Sequence, residues 1–216
     1  MKAATRGAVL ALFVCAARGL SQPDAAEILK RVTETYKSAT EYELVMDTTY
    51  TDAAGAAQAP PFPARLAFKS PDRYRIEGIP TLLYPGEKMD LIYDSSTLWM
   101  YLPKSNRYAS ARSDQLTPND RTIGAFQPVF DDAGEARVLR EESIAAGGDA
   151  AVECYVVHFQ MSGATVWVDK RRFYILREDS ATSSTTFKTV KLNEPISDDL
   201  FKFVPPEGAT KIEFPR

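Results

Sequence analysis

Histidine is almost missing from this chain: among 216 residues there is one, His158, and only two cysteines, Cys15 and Cys154. A single histidine excludes paired-histidine metal sites, and so few thiols exclude a cysteine-built metal centre. No apolar run reaches the roughly 20 residues that a helix needs to span a bilayer. A basic excess is missing too, because 26 Lys and Arg face 29 Asp and Glu for a net charge of −3. That balance argues against a nucleic-acid binder, which concentrates basic side chains on one face. Neither a phosphate-cradling glycine loop nor a glycine-serine nucleophile elbow occurs.

What is present begins with a leader. Met1 to Arg6 is basic, Gly7 to Ala17 is apolar, and small residues follow. This order reads as a cleavable export signal over residues 1–21. The cut is expected near Gly19-Leu20-Ser21 or slightly earlier, at Val14-Cys15-Ala16. Cys154 is then the only thiol of the exported chain, so an internal disulfide is excluded. It lies in an apolar run and reads as a small core residue. Residues 22–216 are long enough for one domain with a sizeable core.

One amphipathic helix is expected at the start of that domain. Pro23 and Asp24, with Glu27 three residues on, form its start signal, and Ala25, Ile28, Leu29, Val32 and Tyr36 recur at helical spacing. The pattern then switches to period two, with Tyr42, Leu44, Met46, Thr48 and Tyr50 on one side of a strand. An Ala/Gly/Pro-rich loop is expected over Thr51 to Pro63. Strand-like runs follow at 65–69, 73–78, 89–94, 98–102 and 107–112, separated by turn residues. Thr117 and Pro118 open a short second helix whose Ile123, Phe126 and Phe130 share a face. Strands resume at 135–142, 151–160, 164–170, 172–179 and 185–193. The proline-punctuated tail is expected to run along a sheet edge.

About eleven antiparallel segments with hairpin-length links and few helices predict a mainly β (α+β) fold. A strongly curved sheet, an incomplete barrel covered by the N-terminal helix and the short mid-chain helix, accommodates both classes of element. Several strands are apolar on both sides: Leu98 to Leu102, Val166-Trp167-Val168 and Phe173 to Leu176. A sheet wetted on one face would alternate cleanly. Both faces are therefore covered, whether by a helix, a second layer, or an apolar ligand. An ordinary packed core accounts for the same pattern.

Candidate catalytic groups are few. His158, on a strand, reads as a structural residue, and Asp131-Asp132, Glu141-Glu142 and Asp198-Asp199 are sequence neighbours that point apart on extended backbone. A non-enzymatic role without cofactor or metal is expected. A secreted hydrolase is the least favoured reading.

Lys69-Ser70-Pro71-Asp72-Arg73-Tyr74, followed by Asp94-Ser95-Ser96-Thr97-Leu98-Trp99-Met100-Tyr101-Leu102-Pro103, resembles the LolA-like outer-membrane lipoprotein-sorting family. Val166-Trp167-Val168-Asp169 and the closing Phe201-Lys202-Phe203-Val204-Pro205-Pro206-Glu207-Gly208 are similar to that family's later motifs. The resemblance implies a periplasmic carrier that shields the acyl chains of lipids or lipoproteins in an apolar cavity on the way to the outer membrane. Partners would be those acyl chains and inner- and outer-membrane envelope proteins, with the carrier a monomer. The implied lining is Leu44, Met46, Tyr50, Phe68, Tyr74, Ile76, Leu91, Tyr93, Trp99, Tyr101, Ile123 and Phe126, with either face of Leu98 to Leu102 free to turn inward. Ser70 stands where the family's lid-latching arginine is expected, and Ser95 replaces the hairpin glycine. These departures keep a second reading open: a periplasmic sensor or scaffold domain of the same fold that binds a protein partner.

Overall fold

A computed structural model describes residues 23–52, 56–57, 59–81, 83–118, 120, 135–145 and 150–215. The export signal over residues 1–21 lies outside them. So does most of the second helix, including Ile123 and Phe126; Pro118 and Asp120 at its start are helical.

The first helix, α1, spans Ala25–Lys37 and buries the five residues of its apolar stripe. Burying Ile28, Leu29 and Val32 is worth about 1.5–3 kcal/mol each. Asp24 occupies the N-cap position with extended backbone, but its side chain makes no capping hydrogen bond. The capping box expected from Asp24 and Glu27 therefore does not form, and tertiary packing holds the helix instead.

Among the described residues twelve strands follow: β1 Glu41–Tyr50, β2 Phe62–Lys69, β3 Arg73–Pro80, β4 Lys88–Tyr93, β5 Thr97–Leu102, β6 Arg107–Arg112, β7 Ala136–Ala145, β8 Ala151–Phe159, β9 Thr165–Asp169, β10 Ile175–Asp179, β11 Ser183–Leu192 and β12 Thr210–Lys211. They form one sheet in the order β12-β6-β5-β4-β3-β2-β1-β11-β10-β9-β8-β7. The sheet is mostly β and antiparallel, is not closed into a barrel, and leaves β12 and β7 as its edges. Only β12 runs parallel to its neighbour, β6. The expected count was about eleven; β12 is the addition, and two residues are too few to show an alternating pattern.

Several boundaries shift. β2 begins at Phe62, within the expected loop, β7 runs on to Ala145 and β11 begins at Ser183. Two further shifts have clear local reasons. β10 begins at Ile175 rather than Arg172. The Asp169 carboxylate accepts the backbone N–H groups of Arg171 and Arg172 and holds the Arg172 guanidinium at 2.7 Å, which makes a turn of those residues. β3 runs past Gly78 to Pro80 by way of an irregularity between Ile76 and Ile79. Gly78 has φ +79° there, and a Cβ would lie 2.6 Å from the Pro63 carbonyl oxygen, so only glycine fits.

The face that carries α1 is the inner face. Beneath the helix, Tyr42, Leu44, Val157, Val166, Val168, Ile175 and Phe187 form the first core cluster. The outer face has its own small cluster of Cys154, Val156, Trp167 and Leu176. Cys154 is fully buried, as expected of a core residue, and burial pushes its thiol up to about 12.

The tail does not simply follow an edge. Lys69 Nζ donates to the Ile196 carbonyl at 2.9 Å and Arg75 Nη1 to the Leu200 carbonyl at 3.2 Å, both from the outer face. Phe203 then packs among Trp99, Tyr101 and Tyr108, with ring centroids 5.4, 5.6 and 6.1 Å away. Only after this crossing does the chain join the edge as β12. The strands that looked apolar on both sides are therefore covered outside by the outer cluster and by this strap.

Candidate functional site: an open cleft at the end of the inner face

Strand pairing sets two apolar rows across the inner face. One runs Tyr42, Phe68, Tyr74, Tyr93, Leu98, Ala111; the other runs Leu44, Leu66, Ile76, Leu91, Met100, Ala109. Side chains paired across antiparallel strands share a face. Tyr42 stacks on Phe68 with centroids 5.0 Å apart, and Tyr74 meets Tyr93 at 5.5 Å. The rows pass from the helix-covered cluster into a second cluster of Tyr74, Leu91, Tyr93, Leu98, Met100, Ala109, Ala111 and Leu116. Phe68 and Ile76, both half-buried, touch both clusters.

The expected lining residues divide accordingly. Leu44 and Met46 belong under α1, where the inner face is filled. Phe68, Tyr74, Ile76, Leu91 and Tyr93 come together in the second cluster. Tyr50 is 47% exposed at the far end of β1, with its ring 5.5 Å from that of Phe62. Trp99 and Tyr101 are corrected: their neighbour Met100 is the inward residue, so both turn to the outer face and meet Phe203. Ile123 and Phe126 lie outside the described residues. Ser70 is exposed in the turn after β2, where its backbone N–H donates to the Thr40 carbonyl at 2.7 Å.

Beyond the second cluster the inner face ends in an open cleft of about 1620 Å³. Its apolar wall is Ala111, Leu116, Ile212 and Phe214, all of which pack on the second cluster. Ser110, Gln115, Thr117, Asp120, Lys211 and Glu213 make the polar part of the rim. A pocket for a drug-sized ligand occupies about 300–1,000 Å³, so space is ample.

The local sequence explains this shape. After β12, the Ile212 N–H still donates to the Tyr108 carbonyl at 2.8 Å. Ile212 and Phe214 then alternate with Lys211 and Glu213, which puts the two apolar side chains on the inner side. On the opposite wall, the Arg112 N–H donates to Gln115 Oε1 at 3.0 Å, which closes the short turn Ser113–Gln115 after β6. Thr117 acts as the N-cap expected of it: its Oγ1 accepts from the Asp120 N–H at 3.2 Å, while Asp120 Oδ2 accepts the Thr117 N–H at 2.8 Å. The Asp120 carbonyl in turn accepts the Tyr74 hydroxyl at 2.6 Å, which ties this wall to the middle of the sheet. Burial raises the Tyr74 pKa, with the charge of Asp120 next in effect, so the phenol stays a donor.

Sequence reasoning missed Leu116, Ile212 and Phe214. The period-two run Lys211-Ile212-Glu213-Phe214 after Gly208 was the signal available for the last two.

The acidic pairs and His158 lie elsewhere. Glu141 holds Lys170 at 2.7 Å while Glu142 holds Arg140 at 2.6 Å and accepts from Trp167. Asp198 binds Lys69 and Asp199 binds Lys202. These pairs diverge, as their adjacency implied; Asp131 and Asp132 lie outside the described residues. His158 Nδ1 is 3.0 Å from the Thr165 hydroxyl. Among the described residues no His, Cys, Asp and Glu group has the arrangement of a metal site.

Residues 161–215 match a family described as "Predicted periplasmic protein (DUF2092)". The uncharacterized protein MJ0687 of Methanocaldococcus jannaschii is 25% identical over 196 residues, which cover 87% of this chain. The chain spans only about half, 53%, of that protein's length. LprF from Mycobacterium bovis superposes with a TM-score of 0.50 at 11% identity, covering 86% of this chain and 97% of its own. The likeness is one of fold. A LolA superfamily protein from Nitrosomonas europaea, NE2245, aligns at a TM-score of 0.36 and 14% identity, covering 84% of this chain and 99% of its own.

Proposed function

We propose that this chain is a periplasmic binding domain that holds an acyl chain in the cleft at the end of its inner face and releases it to a later partner. One observation carries the reading: the cleft has an apolar wall of Ala111, Leu116, Ile212 and Phe214 that is backed by the second core cluster, so a guest entering beside Leu116 and Phe214 meets a wall held rigid from behind. Burial is worth about 0.8 kcal/mol per methylene, so a sixteen-carbon chain offers on the order of 10 kcal/mol without any covalent step. Binding and release by relative affinity then suffice. The match to a family described as periplasmic supports the compartment.

Native mass spectrometry of the protein purified from periplasm tests this. A lipid-sized adduct is expected, and Leu116→Asp or Phe214→Asp should remove it while the protein stays folded. An adduct-free wild type that instead captures an envelope protein would replace this reading with the scaffold one.

A further inference from the structure

Resting on the acyl-binding reading, we infer that the cleft selects acyl chains ending in an uncharged carbonyl, an ester or amide, over free fatty acids, and that Gln115 is the residue that reads this group.

The side chain of Gln115 is oriented by one bond. Its Oε1 accepts the Arg112 backbone N–H at 3.0 Å, which commits the oxygen and leaves the amide NH2 as a donor. That nitrogen donates to no group among the described residues, yet Gln115 lines the cleft next to Leu116. A fixed donor beside an apolar wall is what a carbonyl at the head of a hydrocarbon chain requires.

Charge on the rim works against an anion. Among the described residues the cleft's charged side chains are Lys211 against Asp120 and Glu213. Arg112, a further cation near it among the described residues, is held by the Asp114 carboxylate at 2.8 Å. A fatty-acid carboxylate would add a third negative charge opposite one ammonium, and would lose water to do so. An ester or amide carbonyl takes the same donor without that cost.

The test uses the full chain and displacement of the uncharged dye Nile red, followed by its fluorescence at pH 7. Monopalmitoylglycerol is the ester probe and palmitate the carboxylate probe, both kept below micellar concentration. The wild type should bind monopalmitoylglycerol more tightly than palmitate. Gln115→Glu keeps an oxygen for the Arg112 N–H but removes the donor, so it should weaken the ester by about three- to tenfold, the fold-change of one neutral hydrogen bond. Palmitate binding as tightly as the ester, or an unchanged Gln115→Glu, overturns the selectivity while leaving the acyl reading intact. If neither probe displaces the dye, the acyl reading itself falls. The wild-type comparison decides the matter even where the variant fails to fold.

Discussion

The Tyr36 hydroxyl accepts the backbone N–H of Ile175 at 3.2 Å, joining α1 to β10 across 139 residues of chain. Both residues are almost wholly buried, and burial raises the Tyr36 pKa so that the phenol stays neutral. The helix is thus fastened to the sheet by a polar bond as well as by its apolar stripe. It acts as a fixed cap over its half of the inner face, and the cleft lies at the other end of the sheet.

Tyr36→Phe should therefore destabilise the fold by about 1–3 kcal/mol, because the Ile175 N–H would be left buried without this acceptor. Urea unfolding checks this. Ligand retention by the folded protein should not change, since the cleft is built from β6 and the tail.

Ile76 bridges the two inner clusters, so Ile76→Ala should cost about 2 kcal/mol or more. Ile76→Asp should abolish ligand retention, whereas Met46→Asp, beneath α1, should lower stability and leave retention by the folded protein unchanged. Glu43→Ala is the control, because Glu43 faces outward between Arg65 at 2.9 Å and Lys191 at 3.4 Å. Equal retention by Ile76→Asp and Glu43→Ala would show that the inner face beyond the helix is not the binding face.

Phe203→Ala should loosen the strap over Trp99, Tyr101 and Tyr108. A loss of about 2–3 kcal/mol is expected for a half-buried aromatic side chain. The folded variant should keep its ligand, since Phe203 lies on the outer face. A loss of binding without a loss of stability would reassign these aromatics to the site.

Acid should unfold the protein partly through Asp169. Burial alone would raise its pKa, but the Arg172 guanidinium and two backbone N–H groups outweigh this and hold it below the ordinary 3.8. A carboxylate depressed in the folded state contributes stability that is full above its unfolded pKa and is lost as pH falls through the folded value. Stability measured by urea between pH 6 and pH 2, on the order of the range where carboxylates titrate, should fall more steeply in the wild type than in Asp169→Asn.

Much of the architecture was legible in local pattern. The spacing of Ile28, Leu29, Val32 and Tyr36 specifies a helix with one buried side, and the alternation from Tyr42 to Tyr50 specifies a strand with Leu44 and Met46 inward. Residue period and side-chain direction are local properties, so they can be read without knowing what lies opposite. Leu98 to Leu102 is different, because large apolar residues occupy both parities. Only the pairing of Met100 with Leu91 and Ala109 turns Met100 inward and sends Trp99 and Tyr101 out to Phe203. The cleft lay further still from local reading. Gln115 and Leu116 are separated from Ile212 and Phe214 by almost half the chain, and they face each other only because the tail crosses the outer face and pairs with β6. Composition and period thus determined which segments become helix and strand. Long-range pairing alone decided which surfaces were left over to meet a ligand, since a surface is left over only once everything else has found its partner.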